Sequence, residues 1–219
     1  MKPLASPDLA SSQRPYGAVA GVVLAGGRST RMGRDKAWIA VDGESLIVRQ
    51  LRLLRESGVG RLLVSVAAGD PAGPDRFRSE LPHAVVCLRD ARPDGGPLVG
   101  IARALGALQA GESHLVVLAV DLPRLRSDLL GTLIEAVRLT PEAGVVPRFD
   151  GNLEPLVAVY PRSGLAPALT RIDRGDLSVQ DWVREGLAAG WMRERLVAGD
   201  EAGAFLNWNR PEDLPGARV

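Results

Sequence analysis

GVVLAGGRSTRMGRDK, residues Gly21–Lys36, joins a short apolar run to a basic glycine loop. Val22-Val23-Leu24-Ala25 reads as a buried strand. It halts at Gly26-Gly27, and Arg28, Arg31, Arg34 and Lys36 follow. Glycines let backbone N–H groups approach an anion closely, and the cations neutralise its charge. The chain carries 27 Lys+Arg residues, and only Lys2 and Lys36 are lysines. A composition this biased toward arginine keeps a compact ammonium at one internal position, where phosphate chemistry favours a point donor over a planar fork. The loop has neither the GxxxxGK[ST] nor the GxGxxG spacing. A basic surface turn is the plain alternative. A triphosphate site is the reading that its place directly after a buried strand favours.

Outward from this loop, short apolar strands alternate with longer amphipathic helices. The expected strands are Val19–Ala25, Arg61–Val66, Ala84–Leu88, Leu115–Val120, Gly144–Arg148 and Leu156–Tyr160. The expected helices are Ser45–Ser57, Leu98–Ala110, Ser127–Leu139 and Val179–Ala189, the last with Ser178 as N-cap and Gly190 as stop. Strands that are almost wholly apolar are buried on both faces, which predicts an α/β fold with a largely parallel sheet under helices. In such sheets ligands sit beyond the carboxyl ends of the strands. That rule groups Gly26-Gly27-Arg28, Arg89-Asp90, Gly95-Gly96-Pro97 and Asp121 around one crevice.

Composition narrows the partners. The 219 residues are 46% hydrophobic and 24% charged, with a formal net charge of +1. This balance argues against nucleic acid or an anionic membrane as main partner. No apolar run approaches the roughly 20 residues of a membrane span. Met1–Tyr16 has three prolines and no apolar core, so it reads as a disordered tail ahead of a single domain over 17–219, not as a secretory signal. One cysteine, Cys87, excludes an internal disulfide and a cysteine metal cluster. A cytoplasmic setting is expected.

Asp121 ends the run Leu115–Val120. A carboxylate at a strand's carboxyl end suits Mg²⁺, which takes one or two protein carboxylates and completes its shell with water and phosphate oxygens. An N-cap role for the next helix is the alternative. Asp90 shares this geometry and this alternative. Gly95–Gly100 turns sharply into a helix whose free N–H groups could face an anion or a base edge, or merely connect strand to helix. Asn207 and Asn209 alternate so that both amides face one side, for a polar ligand or for turn chemistry before Pro211. His83 and His114 lack partners at metal or triad spacing and read as structural. Trp38, Trp182, Trp191 and Trp208 read as packing residues.

Five segments together resemble the bacterial molybdenum cofactor guanylyltransferases: LAGGRSTRMGRDKA (Leu24–Ala37), GGPLVGI (Gly95–Ile101), VDLPRL (Val120–Leu125), EPLVAVY (Glu154–Tyr160) and FLNWNRPEDL (Phe205–Leu214). The resemblance implies a three-layer α/β/α Rossmann-like nucleotidyltransferase that moves GMP from GTP to molybdenum-bound molybdopterin and releases pyrophosphate, with Mg²⁺. By position it implies that Leu24, Ala25, Gly26, Gly27, Arg28, Gly96 and Pro97 contact the nucleotide. Arg31 and Lys36 would bind its phosphates and act in catalysis with Asp121, the metal ligand. Asp90 would line the guanosine site. Asn207 and Asn209 would face the acceptor. The resemblance also implies transient contact with molybdenum-cofactor insertion proteins or client apo-enzymes. The chain departs from the family at Ser65, where an Asn of the guanine site is expected, and at Trp208, where an aliphatic residue is usual. Competing readings are a relative that uses CTP or another phosphate acceptor, and a non-catalytic nucleotide-binding or cofactor-delivery protein.

Overall fold

The computed structural model describes residues 18–25, 36–68, 85–90, 92, 95–197 and 201. The opening apolar run forms β1 (Ala18–Leu24). A 3-10 turn (Lys36–Trp38) follows, then a hairpin of β2 (Ala40–Val41) and β3 (Glu44–Ser45). Next come α1 (Leu46–Glu56), β4 (Arg61–Val66), β5 (Val85–Arg89), α2 (Gly96–Gly106), β6 (Glu112–Ala119) and α3 (Ser127–Leu139). The remainder is β7 (Gly144–Phe149), β8 (Asn152–Leu153), β9 (Val157–Pro161), α4 (Leu165–Asp173), α5 (Val179–Ala189) and β10 (Met192–Leu196).

The main sheet runs β10-β7-β9-β6-β1-β4-β5, with β8 paired to β7. Strand β1 is parallel to both β4 and β6, β4 to β5, and β7 to β10. The exceptions are β9, antiparallel to β6 and β7, and the short β8, antiparallel to β7. Because β9 runs backwards, the turn before it arrives at the carboxyl edge of β6.

Apolar side chains alternate between the two faces of the sheet. Val23, Val64, Val116 and Leu118 pack with α1 and α3 on one face. Val22, Leu63, Leu115 and Val117 pack with α2, α4 and α5 on the other. The result is the expected α/β/α layering.

Boundaries moved where polar groups are paired. The sheet strand expected to start at Leu115 begins at Glu112, because its polar residues find partners inside the fold. Arg61 Nη2 and Nε donate to the Glu112 carboxylate at 2.6 and 2.8 Å. Buried His114 has Nε2 3.3 Å from the Ala143 carbonyl and Nδ1 2.8 Å from Ser113 Oγ, as fits a structural histidine, and burial lowers its pKa. The helix expected over Leu98–Ala110 instead spans Gly96–Gly106; Gly111, at φ +86°, turns the chain into β6. Expectation and structure coincide for α3 and α5. Ser178 Oγ accepts the Asp181 N–H and Gly190 takes the left-handed conformation. Trp182 is fully buried, its ring 4.6 Å from Tyr160 and 5.4 Å from Trp191. His83 and Trp208 lie outside the described residues.

Candidate active site

The carboxyl ends of β6, β1, β4 and β5 lie side by side, and α2 packs against all four strands. Helix α2 starts at Gly96-Pro97 after Gly95, and no side chain caps it. Its first turn holds backbone N–H groups that no intrahelical carbonyl pairs.

Two clusters form along this edge. The first holds Leu24, Ser65, Asp90 and Gly100. Leu24 pairs with Ser65 across β1 and β4, and the Ala25 N–H donates to the Ser65 carbonyl at 2.9 Å. Ser65, 2% exposed, donates its hydroxyl to Asp90 Oδ1. The Asp90 N–H donates to the Val66 carbonyl at 2.9 Å. Burial pushes the Asp90 pKa up, opposed by the Ser65 hydrogen bond and by the charge of Arg103. Gly100 allows the cluster to close. A Cβ there would sit 2.8 Å from Ser65 Oγ and 3.2 Å from Leu24 Cδ2. Ser65 is thus committed to Asp90.

The second cluster is a cleft of about 530 Å³, lined by Pro97, Asp121, Leu122, Glu154, Ser178 and Gln180, among others. Asp121 lies two residues past the end of β6. It caps no helix, since α3 starts at Ser127 with Arg126 as N-cap. Its loop is tied from below: buried Gln50 of α1 donates Nε2 to the Leu122 carbonyl at 2.8 Å. Glu154 lies in the turn between β8 and β9, and burial raises its pKa.

Among the described residues no three His, Cys, Asp or Glu side chains gather as metal ligands. The charged donors lining the cleft are the carboxylates of Asp121 and Glu154, beside the neutral oxygens of Asn152, Ser178 and Gln180. Hard oxygen donors in so small a number fit Mg²⁺, which leaves most of its shell to water and phosphate.

The expected site residues Leu24, Ala25, Ser65, Asp90, Gly96, Pro97 and Asp121 all sit along the carboxyl edge of the sheet. Lys36 begins the 3-10 turn that follows the basic loop. Gly26, Gly27, Arg28, Arg31, Asn207 and Asn209 lie outside the described residues. Sequence reasoning assigned no role to Glu154. Its signal was an acid-proline pair opening an apolar run, and its place beside the cleft depends on the reversed direction of β9.

A family model described as a MobA-like NTP transferase domain matches residues 21–190. The chain belongs to the MobA-like NTP transferase family. A probable molybdenum cofactor guanylyltransferase from Opitutus terrae is 40% identical over 197 residues, covering 90% of this chain and 93% of that protein. The molybdenum cofactor guanylyltransferase of Xanthomonas euvesicatoria is 34% identical over 201 residues, covering 91% and 93%. The solved structure of molybdopterin-guanine dinucleotide biosynthesis protein A from Archaeoglobus fulgidus superposes with a TM-score of 0.72 at 23% identity, covering 89% of this chain and 94% of that one. That likeness concerns the fold. As a MobA-like NTP transferase the chain is a nucleotidyltransferase, and no helix among the described residues is long and apolar enough to cross a membrane.

Proposed function

We propose that this MobA-like NTP transferase moves GMP from GTP to the terminal phosphate of molybdopterin, carrying its molybdenum as substrate, and releases pyrophosphate. The observation that carries this reading is a metal-suited carboxylate, Asp121, lining one cleft with the open N-terminus of α2.

The attacking phosphate oxygen is already anionic at neutral pH, so the reaction needs no general base. Alignment and charge neutralisation at the α-phosphate can supply the catalysis. Asp121 would hold Mg²⁺, which would supply Lewis-acid neutralisation of phosphate charge. Lys36 and Arg31 bind the phosphates and stabilise charge on the departing pyrophosphate. Leu24, Ala25, Gly26, Gly27 and Arg28 hold the nucleotide over the end of β1. Asp90, oriented by Ser65, faces the guanosine, and Gly96-Pro97 bring α2 N–H groups to the same ligand. Asn207 and Asn209 are assigned to binding the acceptor, as the family resemblance implies.

Thermal unfolding with Mg²⁺ and each of GTP, CTP, ATP and UTP tests the nucleotide half of this reading. A nucleotide at about 100 Kd adds about 2.7 kcal/mol to stability. Selective protection by GTP is expected. Selective protection by CTP would move the chain to a cytidylyl activity.

A further inference from the structure

Each residue of the turn Glu154-Pro155-Leu156 is held by at least one backbone hydrogen bond. The Glu154 N–H donates to the Pro147 carbonyl at 2.9 Å, and its own carbonyl accepts the Val157 N–H at 3.1 Å. Buried Tyr160 donates its hydroxyl to the Pro155 carbonyl at 2.6 Å. Ala119, the last residue of β6, donates its N–H to the Leu156 carbonyl at 2.9 Å. Gln180 of α5 donates Nε2 to the Leu153 carbonyl at 3.0 Å, just ahead of the turn.

The carboxylate carried by this rigid turn is half-buried and has no hydrogen-bond or ion-pair partner among the described residues. Burying an unpaired charge is costly unless a ligand pairs with it. Strand β9 pairs antiparallel with β6, Leu118 opposite Val157. The turn after Glu154 closes onto the end of β6 through the Ala119–Leu156 hydrogen bond, and Glu154 and Asp121 both line the cleft. A pre-positioned acceptor-only group beside the proposed metal carboxylate needs a ligand edge rich in N–H donors.

We infer that Glu154 is a specificity residue whose carboxylate accepts the exocyclic amine and adjacent ring N–H of a 2-amino-4-oxopyrimidine edge, that of the acceptor's pterin. The inference rests on the guanylyltransferase reading. Guanine carries the same edge. The pterin is favoured because the residues proposed for guanosine, Ser65 and Asp90, belong to the separate cluster on β4 and β5, whereas Glu154 lies on the β9 side of Asp121.

Glu154→Gln keeps the shape of the side chain, removes its charge and offers an amide donor where an acceptor is needed. Loss of charge-assisted hydrogen bonds predicts a rise of about tenfold to a hundredfold in KM for molybdopterin. The midpoint shift given by GTP with Mg²⁺ stays at the wild-type value. A second probe is 6-hydroxymethylpterin against its lumazine counterpart, in which a carbonyl replaces the amine. The wild-type chain prefers the pterin in thermal shift, and Glu154→Gln loses that preference. An unchanged acceptor KM and an unchanged pterin preference in the variant would overturn the inference. So would a weakened GTP or Mg²⁺ response, which would assign Glu154 to the nucleotide or the metal. Failure of the wild-type chain to transfer GMP at all would instead remove the parent reading; the probe comparison still reports on Glu154 in that case.

Discussion

Asp121 and Lys36 represent two ways of neutralising phosphate charge, and each fails differently when replaced. Asp121→Ala removes the proposed metal ligand from the end of a fully built strand while leaving Leu122 and Leu125 buried beneath it. The variant is expected to stay folded without nucleotide and to lose at least about a hundredfold in metal-dependent turnover, the scale of one lost electrostatic contact in a transition state. Retention of most Mg²⁺-dependent activity would remove Asp121 from the metal site. Lys36→Arg keeps the charge but replaces a point donor with a planar fork. We expect turnover to fall about tenfold or more, read by pyrophosphate release. A near-normal rate would mean that the retained lysine has no special role. Gly100 tests the first cluster by crowding. In Gly100→Ala the added methyl meets Ser65 Oγ at 2.8 Å, so the Ser65–Asp90 pair must shift. Overpacking of this kind costs about 1–3 kcal/mol. A lowered midpoint together with a raised KM for GTP is the expected pair of effects; a raised GTP KM absent from the variant would separate Asp90 from nucleotide binding.

At the scale of elements, the part-buried ion pair between Arg61 of β4 and Glu112 of β6 joins two strands that both flank β1. The hydrogen bond from Arg61 is the main cause of a Glu112 pKa below its ordinary 4.5. A carboxylate with a depressed folded pKa stabilises the fold above the unfolded value, and that stability is lost as pH falls through the folded pKa. Glu112→Gln is therefore expected to cost about 2 kcal/mol at neutral pH, less than a fully buried pair because Arg61 keeps 18% of its side-chain surface exposed. The gap between variant and wild type should shrink as pH drops below 4.5. Urea midpoints across pH measure this. A gap that does not vary with pH would deny the ion pair its role. Elements of this kind divide what the sequence reveals from what it hides. Apolar runs and caps make β4, α3 and α5 legible to the residue or nearly so. Helix α4 is hidden because Pro167 reads as a breaker, although proline is tolerated in a first turn, and because only Ala168 and Ile172 of the helix are buried. Strand β10, Met-Arg-Glu-Arg-Leu, is an edge strand guarded by charge, so it lacks an apolar run. The β2–β3 and β7–β8 hairpins do have a signal. Asp42-Gly43 and Asp150-Gly151 both adopt positive φ at the two central positions, as a type I′ turn requires.

For the whole molecule, the parallel core makes the site predictable and the reversed strand makes it complete. Four strands sharing one direction deliver Leu24, Ser65, Asp90 and Asp121 to a single edge, and this followed from apolar runs ending in polar residues. The position of Glu154 was not legible, because nothing in EPLVAVY distinguishes a parallel from an antiparallel strand. Only the pairing of β9 with β6 brings the turn before it to the end of β6 and into the cleft that Asp121 lines. The proposed nucleotide and acceptor sides then fall on opposite flanks of the proposed metal ligand, as transfer between two bound substrates requires. The most direct measurement is to incubate the chain with Mg²⁺, molybdopterin and either GTP or CTP labelled at the α-phosphate, and to follow the label. The account predicts that label from GTP enters the pterin product with release of an equal amount of pyrophosphate, while label from CTP stays with the nucleotide. Label passing from CTP in preference to GTP, or remaining on both nucleotides, would contradict it.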